Sequence, residues 1–193
     1  HAWLPSASPT AVLQLCHGMA EYAMRYERFA ERAVASGYAV LAADLRGHGL
    51  TAGSLDKLGY LADQDGFARV VEDQRELTCA IKDRFPGIAV ILFGHSFGSF
   101  VAQGYIERYG ADIVGSILSG TRGPDPVAVV SGRLLSRVVS LFVDRRKPSR
   151  FLTYVIFGGC NKRIPDATSP NAWLSRDPSE VDKYDASPWS GFP

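Results

Sequence analysis

Ser96 lies at the centre of Gly94-His95-Ser96-Phe97-Gly98, directly after the apolar run 88–93 and before a stretch, 97–109, that can form a helix. A serine hydroxyl becomes a useful nucleophile only when it is exposed both to a base and to a substrate. A sharp strand-to-helix turn supplies that exposure by lifting Ser96 above a sheet, the arrangement known as a nucleophile elbow. Glycines at 94 and 98 make such a turn sterically possible, because side chains there would strike the neighbouring strand or helix. The new helix points its first N–H groups, with their partial positive charge, at the place where an oxyanion would form. The backbone N–H of Phe97 is therefore one candidate oxyanion donor. A glycine-rich turn without chemistry is the plainer reading of the same five residues.

The other residues able to carry chemistry are few. The histidines stand at 1, 17, 48 and 95, all ahead of Ser96. Cys16, Cys79 and Cys160 are odd in number and far apart, with no Cys-x-x-Cys pair and no histidine cluster at metal spacing, so no metal site is expected. They fit buried thiols in a reducing compartment, which points to the cytoplasm.

The elements that must position these residues follow from apolar periodicity. Residues 11–15 read as a strand running into the loop Cys16-His17-Gly18-Met19-Ala20-Glu21. Tyr22, Tyr26, Phe29, Ala30, Ala33 and Val34 then recur at helical spacing up to Gly37. Tyr38–Ala43 is an apolar strand that ends in Asp44-Leu-Arg46-Gly47-His48-Gly49. A polar loop over 50–64 leads to a second helix carrying Phe67, Val70, Val71, Leu77, Ile81 and Phe85 on one face, stopped by Pro86-Gly87. The elbow strand and its helix come next, and Ile113–Ser119 is one more strand.

This alternation predicts an α/β fold: a mostly parallel sheet with helices on both faces and a ligand site at the carboxyl ends of the strands. Ser96, the Gly18 loop and the Asp44 loop all fall at that edge. With 193 residues, 46 % of them hydrophobic, the chain can bury a sizeable core. A net charge of +1 and the lack of an aromatic-and-basic stripe exclude nucleic-acid binding.

From Gly120 the pattern changes. Ser131–Val143 reads as a helix that is apolar through Leu134, Leu135, Val138, Val139, Leu141 and Phe142, followed by Arg145-Arg146-Lys147 and Arg150. The apolar face either packs against the body or lines an acyl pocket and touches lipid; the basic cluster is either solvated surface or a contact for lipid headgroups. The expected division is a core over 1–120, a helical cap or lid over 121–185, and the start of a return to the core over 186–193. No run approaches the length of a membrane-spanning helix. Nothing asks for an obligate protein partner. His1 in place of a starting Met and the turn-like Pro188–Pro193 make both ends read as cut.

The three loops His17-Gly18-Met19-Ala20-Glu21-Tyr22, Asp44-Leu-Arg46-Gly47-His48-Gly49 and Gly94-His95-Ser96-Phe97-Gly98, in that order and followed by a cap-like insertion, resemble the monoacylglycerol lipase and lysophospholipase branch of the α/β-hydrolases. That group is also described as serine aminopeptidase-like (S33). The resemblance covers nearly the whole chain. It implies hydrolysis of the carboxylic ester of a monoacylglycerol, a lysophospholipid or a related small lipid, without metal or organic cofactor. It assigns Ser96 as nucleophile and the backbone N–H groups of Met19 and Phe97 as the oxyanion hole, and makes His17 and His48 structural and His95 a packed neighbour of the nucleophile.

The chain departs from the family in one respect. The family orders its triad Ser, then Asp or Glu, then His, yet no histidine follows Ser96. Asp177, Asp182 and Asp185 read as cap or cap-exit residues rather than the triad acid. The expectation is an incomplete hydrolase whose acid and base are missing from this stretch, so that the chain by itself is inactive or nearly so. A ligand-binding protein on the same fold with a decayed triad is the alternative from another class; an aminopeptidase or small-ester hydrolase is the nearer one.

Overall fold

The structure, a computed structural model, describes residues 1–192 apart from 124, 145 and 148. Five strands form one sheet: β1 (Ala2–Trp3), β2 (Val12–Cys16), β3 (Ala39–Ala42), β4 (Val90–His95) and β5 (Gly115–Ser119), in the order β1-β3-β2-β4-β5. Strands β3, β2, β4 and β5 are parallel. The edge strand β1 is antiparallel to β3 and was not anticipated, because two residues are too short to show a period. The other strands lie where apolar runs place them, trimmed by one or two residues at their starts.

Alternation along the strands assigns the faces. Leu13, Leu15 and Val40 pack with Ala30 of α1 (Glu27–Ala35) on one side. On the other, Cys16 and Leu92 meet Val70 and Val71 of α2 (Gly66–Arg84) and Val101 and Tyr105 of α3 (Phe97–Tyr109). Burial on both faces is why β2 and β3 read as unbroken apolar runs. The exception is Gln14 in β2, fully buried, whose amide donates to Gln74 Oε1 and the Gln74 carbonyl and accepts from Thr78, itself the acceptor of the Tyr105 hydroxyl. This satisfied network ties β2 to α2 and α3.

The expected thiol burial holds for Cys16 alone. Cys79 and Cys160 are exposed: Cys79 follows the buried Thr78 on α2 and so turns out to solvent, and Cys160 lies in a single 3-10 turn, Cys160–Arg163, with no buried residue. The 50–64 loop contains two further single turns, Gly49–Ala52 and Leu55–Lys57.

Beyond β5 the chain is helical: α4 (Pro126–Val139), α5 (Arg150–Phe157) and α6 (Pro178–Ala186). The expected helix over 131–143 is displaced toward its N-terminus, because Asp125 caps it by accepting the Ala128 N–H and Pro126 occupies its first turn. Neither α4 nor α5 has a fully buried residue; of the expected apolar face, Leu135 and Val139 are half-buried while Leu134, Val138, Leu141 and Phe142 are exposed. Val127, Val130, Leu134, Val138 and Leu141, three or four positions apart, point outward as one stripe, with Leu134 63 % exposed and Leu141 75 % exposed. Within the basic cluster that follows, Arg145 lies outside the described residues; Arg146 pairs with Asp63 of the 50–64 loop. No described helix is long and apolar enough to cross a membrane.

Candidate functional site

The chain leaves β4 and enters α3 with Ser96 at φ 51, ψ −116, an uncommon backbone state for a residue with a Cβ. Its N–H donates to the Ser119 carbonyl at the end of β5, and its carbonyl accepts from the N–H and hydroxyl of Ser99 at 2.9 and 2.6 Å. These bonds hold the turn while the Ser96 side chain stays exposed. The flanking glycines are required by space. A Cβ on Gly94 would stand 2.4 Å from the Gly98 carbonyl oxygen, and one on Gly98 would stand 2.1 Å from that of Cys16.

Both candidate oxyanion donors lie beside this turn. Phe97 is the first residue of α3, whose opening N–H groups have no partner within the helix. The Gly18-Met19 loop comes against the elbow so closely that a Cβ on Gly18 would lie 3.4 Å from Ser96 Cβ. Gly18, Met19 and Ser96 line one cavity of about 420 Å³, together with Glu21, Tyr26 and, from the helical region, Trp173. Among the described residues, no protein acceptor takes the Met19 or Phe97 N–H. An arrangement of an exposed hydroxyl beside unpaired N–H donors can form, and then stabilise, a tetrahedral oxyanion.

The Gly18 loop is fixed by two buried carboxylates that sequence reading left without roles. Glu21 accepts the Gly18 N–H at 2.6 Å and the Tyr26 hydroxyl at 2.7 Å, and pairs with Arg25. Burial, aided by the neighbouring Glu21, pushes the Tyr26 phenol far up, so it stays a donor. Asp44 accepts the N–H groups of Ala23 and Leu50, both at 2.8 Å, joining the first loop to the second. The signal for the Glu21–Arg25 pair was present in the sequence as acid and base four residues apart. Replacing Glu21 by Ala is expected to cost about 3 kcal/mol, since the Gly18 N–H, the Tyr26 hydroxyl and Arg25 lose one shared acceptor. Urea unfolding measures it, and a loss below about 1 kcal/mol would show that the loop holds without the carboxylate.

The histidines take the supporting places expected of them. His17 Nε2 accepts the Leu45 N–H at 2.9 Å, so Nδ1 carries the proton and donates to the Gly18 carbonyl. His48 Nδ1 donates to the Arg46 carbonyl at 3.0 Å, and its ring meets that of His17 edge-on. His95 lies 3.1 Å from the Ser119 hydroxyl and edge-on to Tyr26. Asp177 caps α6 by accepting the Ser179 N–H, and Asp185 accepts from Ser169 and Asn171. These bonds are structural; none joins Ser96.

Burial holds His17 below the ordinary histidine range and, with the nearby His17 ring, pushes His48 down to about 4. The fold therefore favours neutral imidazoles. Above pH 6.5 their contribution is constant; as pH falls from 6.5 toward 4, the unfolded chain takes up protons the folded chain refuses, and stability drops. For His48 alone the loss at pH 5 is about 2 kcal/mol. Urea midpoints at pH 7 and 5 should show this drop, and His48→Phe should shrink it; an equal drop in both proteins would contradict the assignment.

The comparisons with known proteins bear on the family and the fold. The model of the family described as serine aminopeptidase, S33, matches residues 7–192. A monoacylglycerol lipase of Mycolicibacterium smegmatis is 36 % identical over 141 residues, 70 % of this chain and 48 % of that protein. A monoglyceride lipase of Rattus norvegicus is 26 % identical over 189 residues, 96 % of this chain and 54 % of that protein. The chain thus spans about half the length of the curated relatives it matches. Among solved structures, a thermostable carboxyl esterase from Bacillus coagulans, in complex with glycerol, superposes with a TM-score of 0.86 at 29 % identity, over 100 % of this chain and 61 % of that one. With the elbow, the Gly18 loop and the α/β-hydrolase fold in place, the chain belongs to the serine aminopeptidase (S33) family.

Proposed function

We propose that this chain is the nucleophile-bearing part of a serine hydrolase that cleaves carboxylic esters of monoacylglycerols or lysophospholipids. The observation that carries the reading is Ser96, exposed at a positive φ between β4 and α3 and sharing a cavity with the Gly18-Met19 loop. The names of the relatives support the lipid ester as substrate. In the reaction Ser96 Oγ attacks the ester carbonyl, the carbonyl π electrons move onto oxygen, and the Met19 and Phe97 N–H groups hold the resulting oxyanion. A histidine takes the serine proton and passes it to the departing alcohol; water then releases the acid from the acyl-enzyme. That histidine and its acid would come from chain beyond residue 193, with 1–120 as core, 121–185 as cap and 186–193 returning to the core. No metal or organic cofactor enters this chemistry.

The test is hydrolysis of monooleoylglycerol by the complete coding-sequence product and by residues 1–193. The complete protein should turn over, and the shorter chain should be slower by at least about a thousand-fold, as when triad members are removed. Ordinary turnover by residues 1–193 would show the base to be misplaced. No turnover by either would favour a ligand-binding protein, the reading supported by the placement of all four histidines before Ser96.

The cap supplies the contact with substrate-bearing surfaces. Its outward apolar stripe carries Arg133 and Arg137 and is followed by Arg146, paired with Asp63, and by Lys147 and Arg150, against the acids Asp125 and Asp144. We assign it to peripheral binding of a membrane surface from the cytoplasm. The protein should co-sediment with vesicles containing phosphatidylglycerol, and the pair Leu134→Asp, Leu141→Asp should reduce the bound fraction several-fold. Equal sedimentation of the parent and the pair would remove the stripe from the account.

A further inference from the structure

Met19 offers its N–H from the peptide that it shares with Gly18, so whatever fixes that peptide fixes the second oxyanion donor. Two groups hold it from the core side: His17 Nδ1 donates to the Gly18 carbonyl at 2.7 Å, and Glu21 accepts the Gly18 N–H at 2.6 Å. The loop then turns through Ala20, which is buried and stands at φ 58, a left-handed state uncommon for a residue with a Cβ. Such a state persists only where the surroundings over-determine it.

Those surroundings come from the helical region beyond β5. The Ala20 carbonyl accepts two hydrogen bonds, from the hydroxyl of Tyr184 on α6 at 3.0 Å and from the Gly191 N–H at 2.9 Å. Tyr184 is 6 % exposed, and burial raises its phenol above the ordinary tyrosine range, so the hydroxyl keeps its proton and donates. The Arg25 guanidinium lies over the Tyr184 ring, 4.6 Å from its centroid, and Arg25 in turn pairs with Glu21. Arg28 and Glu180 form a second tie between α1 and α6 at the surface. Tyr184, Gly191, Met19 and Ser96 line one cavity. The loop that carries the Met19 N–H is therefore held on one side by its own neighbours and on the other by a side chain 164 residues beyond Ala20.

We propose that Tyr184 is a positioning residue for the oxyanion hole: by holding the Ala20 carbonyl, its hydroxyl fixes the turn that aims the Met19 N–H at the Ser96 site. The inference rests on the reading of Ser96 as the nucleophile. Its consequence is that α6 controls the rate of the chemical step and not only the access of substrate, because an oxyanion donor acts through being aligned before the charge develops.

The test measures hydrolysis of monooleoylglycerol by the complete protein and two variants. Tyr184→Phe removes one oxygen and keeps the ring against Arg25. Its kcat should fall about ten-fold, less than the roughly hundred- to thousand-fold loss of a whole donor, with KM within about two-fold of the parent. Octylboronic acid, whose tetrahedral adduct on Ser96 places an oxygen in the same hole, should inhibit this variant about ten-fold more weakly. Val181→Ala, one turn earlier on α6 and also buried, loses packing but leaves the hydroxyl, and should keep kcat within about two-fold of the parent. Amide exchange reads the loop without any turnover: the Gly18 N–H should exchange about five-fold faster in Tyr184→Phe. An unchanged kcat, a raised KM at unchanged kcat, or an equal loss of kcat in Val181→Ala would each overturn the proposal, and so would unchanged exchange at Gly18. The hydrolase reading fails separately: absence of turnover by the parent sinks that reading, while the Gly18 exchange rate still decides whether Tyr184 holds the loop.

Discussion

Ser96→Gly is expected to abolish ester hydrolysis in the complete protein and at the same time to make the fold more stable than Ser96→Ala. The chemical loss is the larger effect: removing a triad serine costs on the order of a million-fold in the turnover number when the remainder of the triad is present. The stability difference comes from the backbone. Ser96 is held at φ 51, ψ −116, where a Cβ is strained by about 1–3 kcal/mol and glycine is not. Alanine keeps the strain and loses the hydroxyl. Glycine relieves the strain but also loosens the unfolded chain, which takes back part of the gain. The net advantage of glycine over alanine is about 1 kcal/mol, or roughly 2–4 °C in melting temperature for a chain of this size. Thermal melts of the two variants measure it. Alanine melting above glycine would mean that the turn at Ser96 is relaxed, and the elbow geometry would lose its support.

Gly98→Ala is expected to be the most disruptive substitution in α3. Helix propensity alone favours alanine over glycine by about 0.8–1.0 kcal/mol in a helix interior. At Gly98 a contact reverses the sign, because the new Cβ would stand 2.1 Å from the Cys16 carbonyl oxygen and 2.5 Å from that of His17. Both are backbone atoms at the end of β2, the strand paired with β4 through Cys16 and Gly94. Relief requires α3 to move away from the sheet, carrying Ser96 and the Phe97 N–H with it. The expected loss is about 4 kcal/mol or failure to fold. Gly104→Ala, on the same helix, is the control: its Cβ would meet only side-chain atoms of Phe67 and Val71 at 3.2 Å and beyond, and its stability should stay within about 1 kcal/mol of the parent. Urea unfolding of both proteins separates propensity from contact. A Gly98→Ala protein as stable as the control would contradict the close approach of α3 to β2.

The elbow and the positions of the central strands along the chain were legible because both rest on local rules. Gly94 and Gly98 flank a serine at a strand end, and Val12–Leu15 and Ala39–Ala42 are apolar on both faces because helices cover both sides. The extent of α3, Phe97–Tyr109, coincides with the stretch 97–109 that follows the elbow, and the chain runs on through Gly110 into a 3-10 turn. What depends on distant residues was not legible. The antiparallel strand β1 acquires its state only by lying against β3. Gln14 reads as a polar interruption until Gln74, Thr78 and Tyr105 close around it. The start of α4 was missed because the Asp125-Pro126 cap was outweighed by the apolar run that follows it. The apolar face of α4 had two readings in sequence, and the structure divides it: Leu134, Val138 and Leu141 are exposed, Leu135 and Val139 half-buried.

At the candidate site, Ser96 and Phe97 were read from the elbow and Met19 from the family resemblance, and the structure brings the loops that carry them together. Glu21 and Asp44, which hold those loops, could not be given roles, since a carboxylate that accepts backbone N–H groups looks in sequence like any surface acid. The unpartnered Nε2 of His48 was beyond reach for a similar reason: that Nδ1 is the engaged nitrogen is decided by the Arg46 carbonyl.

The central claim is that Ser96 is an activated nucleophile beside an oxyanion hole. It is tested most directly by treating the complete protein with a fluorophosphonate and mapping the adduct by mass spectrometry. The account predicts one adduct, on the peptide containing Ser96, absent from Ser96→Ala and blocked by prior addition of monooleoylglycerol. An adduct on another serine, or none on a folded protein, would contradict it.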